Sequence, residues 1–302
     1  MDNINKNYTV FINCSPRDTD DKEIGLNQII NCIKSIKKEL KFDDVMIYVI
    51  FDGVANRPPN FTEQHKINYN LKKTKIKEDP YIVNDKFIKI IEFDEWLHQA
   101  NSLKKVMTEH CNTPIILSLQ EDTLILNGDG INISLITDKL LNDENVEYIK
   151  LYIHHDITVL PGQERAGRSK PGDYRPECLP GTPHPSTNLL HKTREWSDRP
   201  HFATLEHYNK RVWPKIQPHF RCTMEQEVKF GSLRMGQEWN LWIYGERFKM
   251  CHECDIAYTG SGLGSAFNKR VVSGRVASPG EVLVVVLVVL VVAFFLIVSV
   301  VA

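Results

Sequence analysis

The 302-residue chain has no excess of charge of either sign: 37 Lys and Arg stand against 38 Asp and Glu, a formal net charge of −1. The basic footprint of a protein that lives on nucleic acid is therefore missing, and no nucleic-acid partner is expected. Cysteine is sparse. Seven residues (Cys14, Cys32, Cys111, Cys178, Cys222, Cys251 and Cys254) are an odd number, too scattered for the disulfide framework of a small secreted scaffold, so reduced thiols are expected. No internal repeat is visible. The first residues, MDNINKNYTVFINC, lack an apolar core and a small-residue cleavage site, so no secretory leader is expected. A second Cys-x-x-Cys is also absent, which leaves Cys251-His252-Glu253-Cys254 without the four ligands of a structural zinc site.

What is present is a folding composition: 42% hydrophobic and 25% charged residues, in a length sufficient for one large α/β domain or two ordinary ones. Short β-branched runs alternate with longer amphipathic stretches. Strands are predicted at 8–13 (YTVFIN), 45–51 (VMIYVIF), 88–93 (IKIIEF), 114–120 (PIILSLQ), 147–153 (EYIKLYI) and 241–244 (LWIY). Helical spacing follows Asp20–Glu23, which reads as a capping box, with Leu26, Ile29, Ile30, Ile33, Ile36 and Leu40 on one face. Further helical patterns cover Trp96 to Met107, Ile133 to Leu141, Ala203 to Ile216 and Met224 to Arg234. This order predicts an α/β fold, a doubly wound, mostly parallel sheet.

Residues 161–188 carry six prolines and four glycines, so a long functional loop is expected there. The domain is expected to occupy 1–260, followed by a Gly- and Ser-rich linker at 261–281. Residues 282–302, VLVVVLVVLVVAFFLIVSVVA, contain 18 Val, Leu, Ile or Phe. As a helix this stretch is about 31 Å long, matching a bilayer core of about 30 Å. It is expected to be a C-terminal hydrophobic helix anchoring the chain to a membrane. Lys269, Arg270 and Arg275 would keep the catalytic part cytoplasmic. The alternative is that this Val-rich tail is an artefact of the gene model, which would leave a cytoplasmic protein.

Ligands of open α/β sheets bind beyond the carboxyl ends of the strands. The residues there are polar: Asn13-Cys14-Ser15-Pro16-Arg17 after the first strand, Asp52-Gly53 after the second, Gln120-Glu121-Asp122-Thr123 after the fourth and His154-His155-Asp156 after the fifth. Hard oxygens of this kind suit a divalent cation or the hydroxyls of a nucleotide. Asn13, Ser15, Arg17, Asp52 and Glu121 are thus candidate donor-binding residues and Asp122 a candidate metal ligand. Trp196 and Asp198, in the run WSDRPHF after the Pro-rich loop, combine a ring face with polar edges, and with His155 they are candidates for binding the acceptor.

Three stretches together resemble glycosyltransferases of the A fold, of the family-two type that use nucleotide-diphospho-sugars. They are VIFDG (49–53), NSLKKVMTEHCNTPIILSLQEDT (101–123) and MEQEVKFGSLRMGQEWNLWIYGE (224–246), and the resemblance covers roughly residues 8 to 260. It implies that Asp52 contacts the nucleobase, that Asp122 holds Mn²⁺ or Mg²⁺ with the donor diphosphate, and that His252 lies near the metal. It also implies that Glu227, seven residues before Arg234, is the catalytic base, with Glu225 second. The implied reaction is a single, inverting displacement that moves a sugar from a nucleotide-diphosphate donor to an acceptor, whether glycan, lipid or protein. Two departures stand out: the loop after the first strand lacks the family's Asn-Arg ending, and Gln120-Glu121-Asp122 replaces Asp-x-Asp. Gln120 keeps a second reading open, a catalytically silent, membrane-tethered binding protein. A sugar-nucleotide pyrophosphorylase is a third, although NCSPRDTDD lacks the Gly-rich loop such enzymes carry there.

Overall fold

The central strand, β1 (Tyr8–Cys14), is buried along its whole length, as its unbroken apolar run requires of a strand covered on both faces. In a computed structural model that describes residues 4–16, 23–54, 62–125, 128–151, 183–192, 196, 200–216, 240–244 and 256–258, it lies between two parallel neighbours. These are β2 (Met46–Phe51) and β4 (Ile115–Gln120), with β3 (Ile88–Glu92) parallel to β2. Beyond β4 come β9 (His201–Thr204), β6 (Tyr148–Leu151), β10 (Leu241–Tyr244), β8 (Thr187–Lys192) and β7 (Pro183–His184). The sheet order is β3-β2-β1-β4-β9-β6-β10-β8-β7.

Side chains alternate between two cores, as the period-two geometry of a strand demands. Val10 and Ile12 join α1 (Glu23–Leu40), α2 (Glu63–Glu78) and α5 (Ile133–Asn142) on one face through Ile33, Tyr69 and Ile136. Phe11, Ile50 and Ile116 meet α4 (Gln99–His110) and the segment after β9 on the other. Helices thus cover both faces, as a doubly wound sheet requires.

Two expectations need correction. The sheet is mixed rather than mostly parallel: β9 runs antiparallel to both β4 and β6, and β8 is antiparallel to both β10 and β7. The helix expected over 203–216 is instead strand β9 followed by a series of short turns. These are α6 (Leu205–His207), a π turn at Tyr208–Val212 and a 3-10 turn at Trp213–Lys215. Pro214 opens the last of these, and without an N–H it cannot extend an α ladder.

A second, small sheet pairs β5 (Thr123–Ile125), directly after Asp122, with β11 (Ile256–Tyr258) in antiparallel register. The described residues all belong to the unit Met1–Tyr258. Among them no helix is long and apolar enough to cross a membrane. The linker, the apolar tail and most of the Pro-rich stretch lie outside the described residues.

Candidate functional site

The order β3-β2-β1-β4 reverses between β1 and β4, and their carboxyl ends therefore flank the switch point at which open α/β sheets bind ligands. Register sets Asn13 opposite Gln120 on one side and Ile50 on the other, and Cys14 opposite Phe51. The strand-end residues singled out in the sequence at Asn13, Ser15, Asp52, Glu121 and Asp122 are thereby gathered along one edge. Arg17, His155, Asp198, Glu225, Glu227 and His252 lie outside the described residues.

Asp52 ends β2 and is 6% exposed. Its Oδ1 accepts the N–H groups of Gly53 and Leu97, each at 2.9 Å, and so draws the segment after β3 across the strand end. The approach is close: a Cβ on Gly53 would lie 2.3 Å from the Glu95 carbonyl carbon, which only glycine avoids. Burial pushes the Asp52 carboxyl up to about 6, against the opposing pull of its backbone donors and of Lys73.

At the end of β4 the environment differs. Glu121 forms an ion pair with Lys72 of α2, 2.6 Å long, and both side chains are 0% exposed. The other Glu121 oxygen accepts the Ser15 N–H at 3.3 Å, while its own N–H donates to the Asn13 carbonyl at 3.1 Å. Asp122, next in the turn, is 6% exposed. Below them the Cys32 thiol, donating to the Gln120 carbonyl, is pushed well above its ordinary range by burial and then by the charges of Asp122 and Glu121. It is a thiol there, not a thiolate nucleophile.

Lys72 was not foreseen. The signal was present, since Tyr69, Lys72, Lys73 and Ile76, all buried, repeat at i, i+3, i+4 and i+7, but two of the four are lysines. Trp196 corrects an expectation in the other direction. Its side chain is 0% exposed, packed beside Tyr148 at 6.3 Å and His201 at 5.9 Å, so the ring anchors the second core and presents no face to an acceptor.

Among the described residues no group of three or more His, Cys, Asp or Glu side chains forms a metal cluster. Asp122, Gln120 and Asn13 supply one carboxylate and two neutral oxygens at adjacent strand ends. That donor set fits a hard divalent cation that takes its remaining ligands from a diphosphate and water.

No protein-family model and no characterised protein sequence matches the chain. Solved structures do match it. The likeness is one of fold. GalNAc-T7, solved with UDP, GalNAc and Mn²⁺, overlays with a TM-score of 0.47 and 11% identity over 78% of this chain and 42% of that one. S. aureus TarS, residues 1–349, gives 0.42 and 12% over 78% and 57%. A cytidylyltransferase from Leptospira borgpetersenii serovar Hardjo-bovis gives 0.39 and 10% over 80% and 76%. The chain spans about half the length of the first two. At such identities and scores, function has to come from the residues of the chain itself.

Proposed function

We propose that the chain is a nucleotide-sugar-dependent glycosyltransferase, moving a sugar with inversion from a nucleotide-diphosphate donor to a glycan, lipid or protein acceptor. The observation that carries this reading is the alignment of Asn13, Asp52 and Asp122 at the carboxyl ends of three adjacent parallel strands, at the point where strand order reverses. Asp52 serves the base end of the donor. Asp122, with Gln120 and Asn13, holds the divalent cation, Mn²⁺ or Mg²⁺. When bound, that cation offsets the charge that grows on the departing diphosphate.

The acceptor oxygen attacks the anomeric carbon as the bond from that carbon to the diphosphate breaks, and its proton passes to a carboxylate. Glu227 is assigned that proton and Glu225 is the alternative; Asp198 and His155 are assigned to the acceptor side. The apolar tail at 282–302 is proposed as the membrane anchor, with the catalytic part on the cytoplasmic side.

The test is a panel of nucleotide-sugars screened by thermal stabilisation, with and without Mn²⁺, on wild type and Asp122→Asn. One donor should raise the melting temperature only with metal, and the variant should lose that response while remaining folded. Equal donor affinity in both proteins, with or without chelator, would remove Asp122 from the site. With the donor known, Glu227→Gln should lower turnover by about 10² to 10⁴ with donor affinity little changed, and Glu225→Gln should be milder.

A further inference from the structure

Helix α2 breaks the usual burial rule. Its apolar Ile67 and Leu71 are 46% and 55% exposed, while Lys72 is fully buried beside them and Lys73 nearly so. Local inversions of this kind mark places where something other than packing is being served. An apolar pair of similar volume in place of Lys72 and Glu121 would hold helix to sheet at least as firmly, because burying two ions is costly even when they meet. What an apolar pair cannot supply is direction.

The directional bonds here end on one short stretch. Glu121 takes the Ser15 N–H and gives its own N–H to the Asn13 carbonyl, while Tyr69, one turn before Lys72, donates its hydroxyl to the Cys14 carbonyl at 3.1 Å. Asn13, Cys14 and Ser15 are thus each tied, and the residue that ties two of them immediately precedes Asp122. The same helix reaches the second strand end, where Lys73 lies over the Tyr69 ring at 4.8 Å and over the Phe51 ring at 5.9 Å, beside Asp52.

We infer that Lys72 and Glu121 are a positioning pair: Glu121 does not touch the donor, and the pair sets Asn13–Ser15 and Asp122 in the relative arrangement that receives a metal-bound diphosphate. This deepens the proposed function and rests on it. Lys72 fixes the Glu121 carboxylate, Glu121 fixes the loop after β1, and Asp122 inherits its place from the same turn.

The probes are UDP, CDP, GDP and ADP, each with and without MnCl₂, measured by calorimetry on full-length protein alongside melting curves. The double variant Lys72→Met, Glu121→Leu removes both charges and keeps the volume. It should melt close to wild type yet bind the Mn²⁺ complex of the preferred nucleotide at least about tenfold more weakly, the loss typical of groups that orient a metal site's ligands. Its affinity for the metal-free nucleotide should be unchanged, a split that general loosening of the fold would not produce. Binding of the Mn²⁺ complex within about twofold of wild type would overturn the inference and leave the functional reading standing. Should the double variant not fold, Glu121→Gln, which keeps shape and loses charge, should show the same selective loss, and its absence would likewise overturn the inference. If wild type binds none of the nucleotides with metal, the functional reading fails and the pair has nothing to position.

Discussion

Two carboxylates at opposite ends of the same sheet have been moved in opposite directions. Glu147, at the amino end just before β6, meets His207 Nδ1 at 3.1 Å and Arg211 Nε at 3.0 Å, and these partners hold its carboxyl down to about 2. Asp52, at the carboxyl end of β2, is pushed up to about 6 by burial that its backbone donors only partly offset. The amino end is built to keep a charge satisfied within the protein. The carboxyl end holds an acid whose charge the protein alone does not satisfy, and sites of that kind are where ligands complete the balance.

The largest expected effect comes from leaving a buried charge alone at the carboxyl edge. Lys72→Met without a change at Glu121 should cost about 3 to 5 kcal/mol in denaturant unfolding, because the Glu121 carboxylate stays enclosed. A loss below about 1 kcal/mol would show that the pair is far less enclosed than its exposure states.

Next is Asp52→Asn, which keeps the oxygen that accepts the Gly53 and Leu97 N–H groups and removes the charge. A folded-state value raised from 3.8 to about 6 means that the folded chain holds the proton more tightly. The associated stability is present below the unfolded value and is lost as pH rises through about 6. The Asn variant should therefore be more stable than wild type by up to about 3 kcal/mol near pH 8, with the gain fading towards about pH 4. A gain independent of pH would break the comparison at its carboxyl end.

Gly53→Ala comes third. The added methyl collides with backbone and cannot be relieved by a rotamer change, so about 1 to 3 kcal/mol of stability should be lost. The smallest effect belongs to the amino end. With Glu147 lowered from 4.5 to about 2, the stability it brings is present above the unfolded value and lost as pH falls through about 2. Because the side chain is 25% exposed, solvent screening reduces the expected cost of Glu147→Gln to about 1 to 2 kcal/mol near pH 7. Melting curves of variant and wild type should converge in acid, and divergence there would mean that the His207 and Arg211 contacts do not act through charge.

The strands legible in the sequence were those buried on both faces. β1, β2, β3, β4, β6 and β10 all lie where unbroken apolar runs predict them, to within a residue or two at most ends. β9 was not legible, since four residues, His201 to Thr204, carry too little pattern and its place is set by pairing with β4 and β6. Helix α2 was hidden by its inverted burial, lysines inside and Leu71 outside. The site was legible where it depends on strand ends, at Asn13, Asp52 and Asp122. It was not legible where it depends on a distant helix, because nothing in the run QEDT indicates that Lys72 will enclose Glu121. Trp196 was misread because an aromatic beside polar residues has the same appearance in a sequence whether it serves a ligand or a core.

The small sheet beside Asp122 also sets an order of events during synthesis. Ile125 pairs with Ile256, about 130 residues further along the chain. At about 5 to 20 residues per second, a ribosome that has released β5 needs ~7 to 25 s more before β11 exists to pair with it. For that interval the nascent chain can contain every strand of the switch point while β5, the strand leaving the acidic turn, still presents an unpaired edge. A loss of long-range pairing at β11 would then be felt first in yield, as strand-edge association of young chains, before it was felt in the activity of finished ones.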